Sequence, residues 1–166
     1  LREQSSYDFI SAAEQLGHAN LEDMNGAESD GVGFMQHTIK NGQRHSAYAA
    51  FVAPIRNRPN LTVRTDCLVQ RVLFEGHTAT GIEVLCNGAV QKVAAAREVI
   101  LSGGAINTPQ LLMLSGVGPG QELQRHGIAQ VLESNGVGKN LQDHFYVHTG
   151  WWATPDSSYN SNIVGP

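Results

Sequence analysis

The sequence is short of charge, of cysteine and of long apolar runs. Only 16% of its 166 residues are charged and the formal net charge is −4. Without a basic stripe it has no electrostatic footprint for a phosphate backbone, so nucleic acid is excluded as a partner. No apolar run approaches the roughly 18 residues needed to cross a bilayer, which leaves no membrane segment. No basic stretch followed by an apolar core marks a secretory leader. A chain that opens on Leu1 is read as lacking its native amino terminus. Cys67 and Cys86 are the only cysteines, with no CxxC and no histidine pair at zinc spacing, so no metal site is expected. They read as small buried hydrophobes on strands, with a disulfide as the alternative, and a cytoplasmic, reducing location fits the first reading. A dinucleotide fingerprint is also missing. Gly116-Val117-Gly118-Pro119-Gly120 and Gly136-Val137-Gly138 are rich in glycine, but neither follows a strand and opens a helix with the required third glycine.

What is present is a hydrophobic share of 41% and eighteen glycines, most of them beside apolar runs, where they mark tight turns. Residues 5–17 have helical spacing, with Phe9, Ile10, Ala13 and Leu16 on one face, Ser5 or Ser6 as cap and Gly17 as terminator. Residues 18–31 read as loop. A strand is expected over 33–40, turning at Asn41-Gly42, and a short helix over 46–52 that ends before Pro54. The period then changes. Residues 61–65, 68–74, 80–86 and 89–95 are short β-prone runs, and Asn87-Gly88 is a strong hairpin signal because a type I′ turn needs positive φ at both central residues. These runs predict an antiparallel meander. Val99-Ile100-Leu101 is apolar on successive residues, the pattern of a parallel strand covered on both faces. A helix is expected to start with Thr108 as cap and Pro109 as first residue, and a second to run from Pro119 to His126. Beyond Val131 the chain reads as loop-rich, ending in a polar tail that contains Pro155.

Residues 97–118 carry the chemical information. A buried strand, the turn Ser102-Gly103-Gly104 and a helix whose first N–H groups are unpaired can sit close to a polar ligand, since glycine lets the backbone approach without a Cβ. The same arrangement also serves as a tightly packed structural corner, and both readings stand on the residues alone.

The block resembles the second signature of the glucose–methanol–choline (GMC) oxidoreductases, in Gly104-Ala105, Thr108-Pro109, Leu111-Leu112 and Ser115-Gly116-Val117-Gly118. The flanks agree with its choline dehydrogenase-like branch: Asn41-Gly42-Gln43-Arg44, Arg58-Pro59-Asn60-Leu61-Thr62-Val63, Val72-Leu73-Phe74-Glu75-Gly76 and Gly136-Val137-Gly138-Lys139-Asn140-Leu141-Gln142-Asp143-His144. The resemblance covers nearly the whole chain except residues 152–166. It implies a mixed α/β fold with α+β parts. One part is an incomplete, Rossmann-like domain for flavin adenine dinucleotide (FAD), made of a strand–helix unit and the meander. The other is part of a substrate domain built on an antiparallel sheet. Residues 56–130 are assigned to the first domain, and 1–55 and 131–166 to the second.

By the same resemblance Val69 meets the flavin adenine through its backbone, and Ser102 and Gly103 lie near the adenosine. No catalytic residue is expected in this chain, because the family's catalytic histidine lies later; His144 is expected to be structural or to line a channel. The implied function is that of a central fragment of an FAD-dependent alcohol oxidoreductase, inactive alone and not retaining the flavin. Its substrate would be a small-molecule alcohol, and a homo-oligomer stays open. The alternatives are an FAD-containing hydroxynitrile lyase of the same fold and a non-catalytic fragment.

Overall fold

The computed structural model describes residues 3–150, so the polar tail with Pro155 lies outside the described residues. The chain divides into two compact units. One comprises residues 3–61 together with 146–150, and the other is Thr62–Phe145.

In the first unit, helix α1 (Gln4–Gln15) starts with Glu3 at the cap position, ahead of the expected Ser5 or Ser6. Its buried face is narrower than the spacing predicts. Ile10 and Ala13 are buried, whereas Phe9 and Leu16 are 69% and 81% exposed. Gly17, at φ +91°, ends the helix, and His18 N–H reaches back to Ala13 O at 3.1 Å. The strand expected over 33–40 shrinks to β1 (Ile39–Lys40), paired with β2 (Gln43–Arg44) across a turn at Asn41 and Gly42, both at positive φ. The expected short helix is a π-helical turn, Tyr48–Val52, started by Ala49 N–H donating to Ser46 Oγ at 3.3 Å. It does not stop before Pro54. A 3₁₀ turn, Ala53–Ile55, carries straight on, because a proline near a helical start forfeits no bond.

The second unit is built on a meander of β3 (Cys67–Glu75), β4 (Thr78–Cys86) and β5 (Ala89–Ala94), in that spatial order and antiparallel throughout. Val69, Val72, Val84 and Cys86 point to one face, and Val72, Val84 and Cys86 are buried there. The register slips between Val69 and Arg71, a bulge that separates the first three residue pairs from the rest of the ladder. β5 is an exposed edge bearing Gln91 and Lys92, residues that discourage further pairing. The expected hairpin turn is present: Asn87 and Gly88 have φ of 51° and 77°. A Cβ on Gly88 would meet nothing within 4 Å. Gly88→Val is therefore expected to cost only the backbone penalty of a left-handed L-residue, about 1–2 kcal/mol. A urea unfolding midpoint unmoved by the change would count against this account.

Three expectations fail in this unit. Residues 61–65 form no strand. Val99-Ile100-Leu101 pairs with no strand among the described residues, and Ile100 is 75% exposed. An apolar run signals a wish for burial but does not supply a ladder partner, and neither edge of the meander pairs with it. Helix α2 (Gly104–Leu114) starts four residues before Thr108, with Gly103 at the cap position and Pro109 inside. Pro109 removes the bond that its N–H would give to the carbonyl of Ala105. The packing of α2 on β3 outweighs that loss. After α2, β6 (Val117–Gly118) leads into helix α3 (Gly120–Arg125), anchored by the almost fully buried Leu123 and closed at Gly127. Within the loop-rich segment that follows, the two-residue β7 (Leu132–Glu133) lies parallel to β6.

The cysteines correct a further reading. Cys67 and Cys86 stand opposite each other on β3 and β4 and form a disulfide. They are on strands, and Cys86 is buried, as expected. What spacing along the chain does not show is that the hairpin register sets them side by side, with Cα atoms 4.4 Å apart. The pairing removes the argument for a reducing location.

Candidate functional site

The glycine turn brings together the three residues that the sequence singles out. Val69, half-buried on β3, and Ser102 and Gly103, both exposed ahead of α2, line one cavity of about 890 Å³. Leu68, Leu101 and Leu111 add apolar wall, and Asn107 and Gln110 add polar groups. The size is that of a small-molecule site, and the mixture of apolar wall with a few polar groups suits a heteroaromatic ligand. Gly104 sits at φ +85°, a conformation that side chains resist, and no atom fills the space where its Cβ would be. A Cβ on Gly103 would instead press on Asn107 Cβ at 3.2 Å. The turn is thus glycine on both counts, backbone shape and close approach.

None of the residues around this cavity is an acid, a base or a histidine. A wall of this kind binds and orients; it offers no group to take or give a proton.

The charged groups lie elsewhere. Arg71 and Glu83, directly opposite on β3 and β4, form a two-pronged pair with Nε–Oε1 at 2.9 Å and Nη2–Oε2 at 3.0 Å. Hydrogen bonding from Arg71 holds the Glu83 carboxyl below its ordinary range, against a weaker opposing effect of desolvation. With the folded value depressed, the pair's contribution is present above the ordinary carboxylate value of about 4.3 and is lost as pH falls through the lower folded value. Glu83→Gln should therefore flatten this part of the acid limb when unfolding is followed against pH. An unchanged limb would show that the pair contributes nothing.

His144 is exposed, and its N–H donates to Asp143 Oδ1 at 2.8 Å, a local turn contact. His126 faces Glu122 on α3 at 3.2 Å. Among the described residues no three His, Cys, Asp or Glu side chains come together as a metal site. No described helix is long and apolar enough to cross a membrane.

Sequence reasoning passed over Ser115. Its buried hydroxyl accepts from Val72 N–H at 2.8 Å and donates to Leu111 O at 2.6 Å, tying α2 to β3 beside the cavity. The Ser-Gly-aliphatic-Gly spacing marks the residue, but nothing in it says which distant amide the hydroxyl serves.

A family model described as GMC oxidoreductase matches residues 2–146. Mitochondrial choline dehydrogenase of Homo sapiens is 49% identical over 140 residues, covering 84% of this chain and 24% of that protein. Alcohol dehydrogenase [acceptor] of Pseudomonas putida is 48% identical over 141 residues, covering 84% of this chain and 26% of that protein. Among solved structures, an FAD-dependent oxidoreductase from Chaetomium thermophilum superimposes with a TM-score of 0.78 at 30% identity, over 84% of this chain and 25% of that one. The chain thus spans about a quarter of the length of the curated relatives it matches.

Proposed function

The chain belongs to the GMC oxidoreductase family, and from that premise we propose that it contributes the adenosine-side wall of the FAD site in an alcohol oxidoreductase. The observation that carries this is the single cavity shared by Val69, Ser102 and Gly103, with no titratable side chain around it. The residues present fit the adenosine part of the cofactor. The apolar surface of Leu68, Val69 and Leu101 suits a planar base, and the glycine turn exposes backbone that can hydrogen-bond it. FAD, when bound, supplies the two-electron acceptor for oxidation of an alcohol carbon. The residues described here bind and position it, and the proton of the alcohol is taken by a group outside this cavity. In this reading 56–130 belong to the FAD domain, and 1–55 and 131–166 belong to the substrate domain. The named relatives act, by their names, on choline and on an alcohol, which makes a small alcohol the substrate class.

The test is anaerobic mixing of a protein of the relatives' length containing this sequence with choline, a primary aliphatic alcohol and a polyol. Loss of the oxidised-flavin absorbance with at least one of them is expected. A protein that purifies without flavin, or whose flavin none of them bleaches, would overturn the proposal.

A further inference from the structure

The disulfide sits where a fastening has a local effect rather than a global one. Beyond the bulge after Val69, the β3–β4 ladder continues to Glu75 and Thr78 without help from any covalent bond. Between the bulge and the strand end lie only three residue pairs: Cys67–Cys86, Leu68–Leu85 and Val69–Val84. This short piece is isolated from the main ladder on one side. On the other side β3 is entered through Asp66, at φ 56°, with no ladder before it. The disulfide closes that open end, with the exposed Arg64 Nη2–Gln91 Oε1 hydrogen bond of 2.8 Å just outside it. The same three residues of β3, Cys67 to Val69, form part of the wall of the cavity shared with Ser102 and Gly103.

The two sulfurs are unequally accessible. Cys86 is 2% exposed. Cys67 is half-buried and opens on a shallow surface cleft beside Asp66, Leu85 and the Asn87-Gly88 turn. Attack from solvent is therefore directed to one sulfur, and accessible disulfides are the ones that exchange readily. Exposed disulfides are the labile, regulatory or catalytic ones, whereas well-shielded ones are structural.

We infer that Cys67–Cys86 is a redox-sensitive clamp on the cavity-lining end of β3, opened by a dithiol reductant. One thiolate of the reductant attacks Cys67 Sγ, the protein disulfide breaks, and the electron pair passes to Cys86 Sγ, which takes up a proton. The second thiolate of the reductant attacks the mixed disulfide and releases Cys67, which takes up another proton. The reductant leaves as its own disulfide, having given two electrons. Freed at its end, the segment from Cys67 to Val69 frays as far as the bulge, while the ladder from Arg71 onward stays paired. That this loosens a cofactor wall rests on the flavin reading above; the clamp itself does not.

The test is hydrogen exchange on the full 166-residue chain, oxidised and after dithiothreitol, with alkylation and mass measurement to count thiols. Expected are no free thiol in the untreated chain and reduction without denaturant. Exchange should then be at least about tenfold faster in the peptide covering 67–69, with 71–75 and 78–83 unchanged and 84–86 held by their pairing with β5; such amides open locally and not with the whole unit. Cys67→Ser should exchange like the reduced chain with or without dithiothreitol. Free thiols at the outset, reduction only in denaturant, unchanged exchange at 67–69, or faster exchange along the whole hairpin would each overturn the inference. A failure of the flavin test leaves these readouts untouched, and a failure here leaves the flavin test untouched.

Discussion

Gly116→Ala is expected to destabilise the Thr62–Phe145 unit by roughly 2–5 kcal/mol, the sum of about 1–2 for a left-handed backbone and about 1–3 for overpacking. Gly116 has φ +87°. A Cβ there would collide with the carbonyl oxygen of Ala129 and stand 2.9 Å from Val131 Cγ2 and 3.1 Å from Val131 N. Two of these three neighbours are backbone, so no side-chain rotation relieves the overlap. The same glycine's carbonyl accepts from Val131 N–H at 2.8 Å and from Leu132 N–H at 3.1 Å, and Gly118 O accepts from Ser134 N–H at 2.9 Å. Pushing residues 129–131 away would break this seam and with it the β6–β7 pairing. Denaturant unfolding of the two chains reads the loss directly, and hydrogen exchange at Val131 and Leu132 locates it. A shift below about 0.5 kcal/mol, the scatter of an ordinary surface change, would mean that the seam is not structural.

For Ser115→Ala the expected loss is roughly 1–3 kcal/mol, the cost of a buried donor left without a partner. β3 is an edge of its sheet, so the N–H groups on its far side have no strand to meet. Val72 is 5% exposed, and its N–H is served by the Ser115 hydroxyl. Leu111 O keeps its bond from Ser115 N–H at 3.1 Å after the change, so the loss falls on Val72 alone. Faster exchange of the Val72 amide should accompany the lower stability. If stability drops while that amide stays protected, the hydroxyl acts by some other route.

The parts of this molecule that were legible along the chain are those in which the signal and its cause lie a few residues apart. Asn87-Gly88 announced a turn because positive φ is a property of the residues themselves, and Gly17 and Gly127 marked helix ends for the same reason. The β-prone runs 68–74 and 80–86 announced strands because β-branched and aliphatic residues suit an extended, half-covered backbone. Thr108-Pro109 misled. The local preference for proline at a helical start is genuine, but the packing of α2 on β3 overrides it and begins the helix at Gly104.

The candidate site shows the same division. The family resemblance pointed to Val69, Ser102 and Gly103, but as separate positions in the chain. Only the folded unit sets β3 and the glycine turn against one cavity and leaves that cavity free of titratable groups.

By itself the sequence determined the meander and its turns, the glycine corner ahead of α2, and the family to which the chain belongs, because each depends on local conformation or on motif order. Tertiary structure alone decided that Cys67 meets Cys86, that Ser115 serves Val72, that β6 meets β7, and that Val99-Ile100-Leu101 finds no partner among the described residues. Each of those outcomes turns on which distant backbone arrives alongside. Register, edge and close approach settle that, and none of them is a property of neighbouring residues.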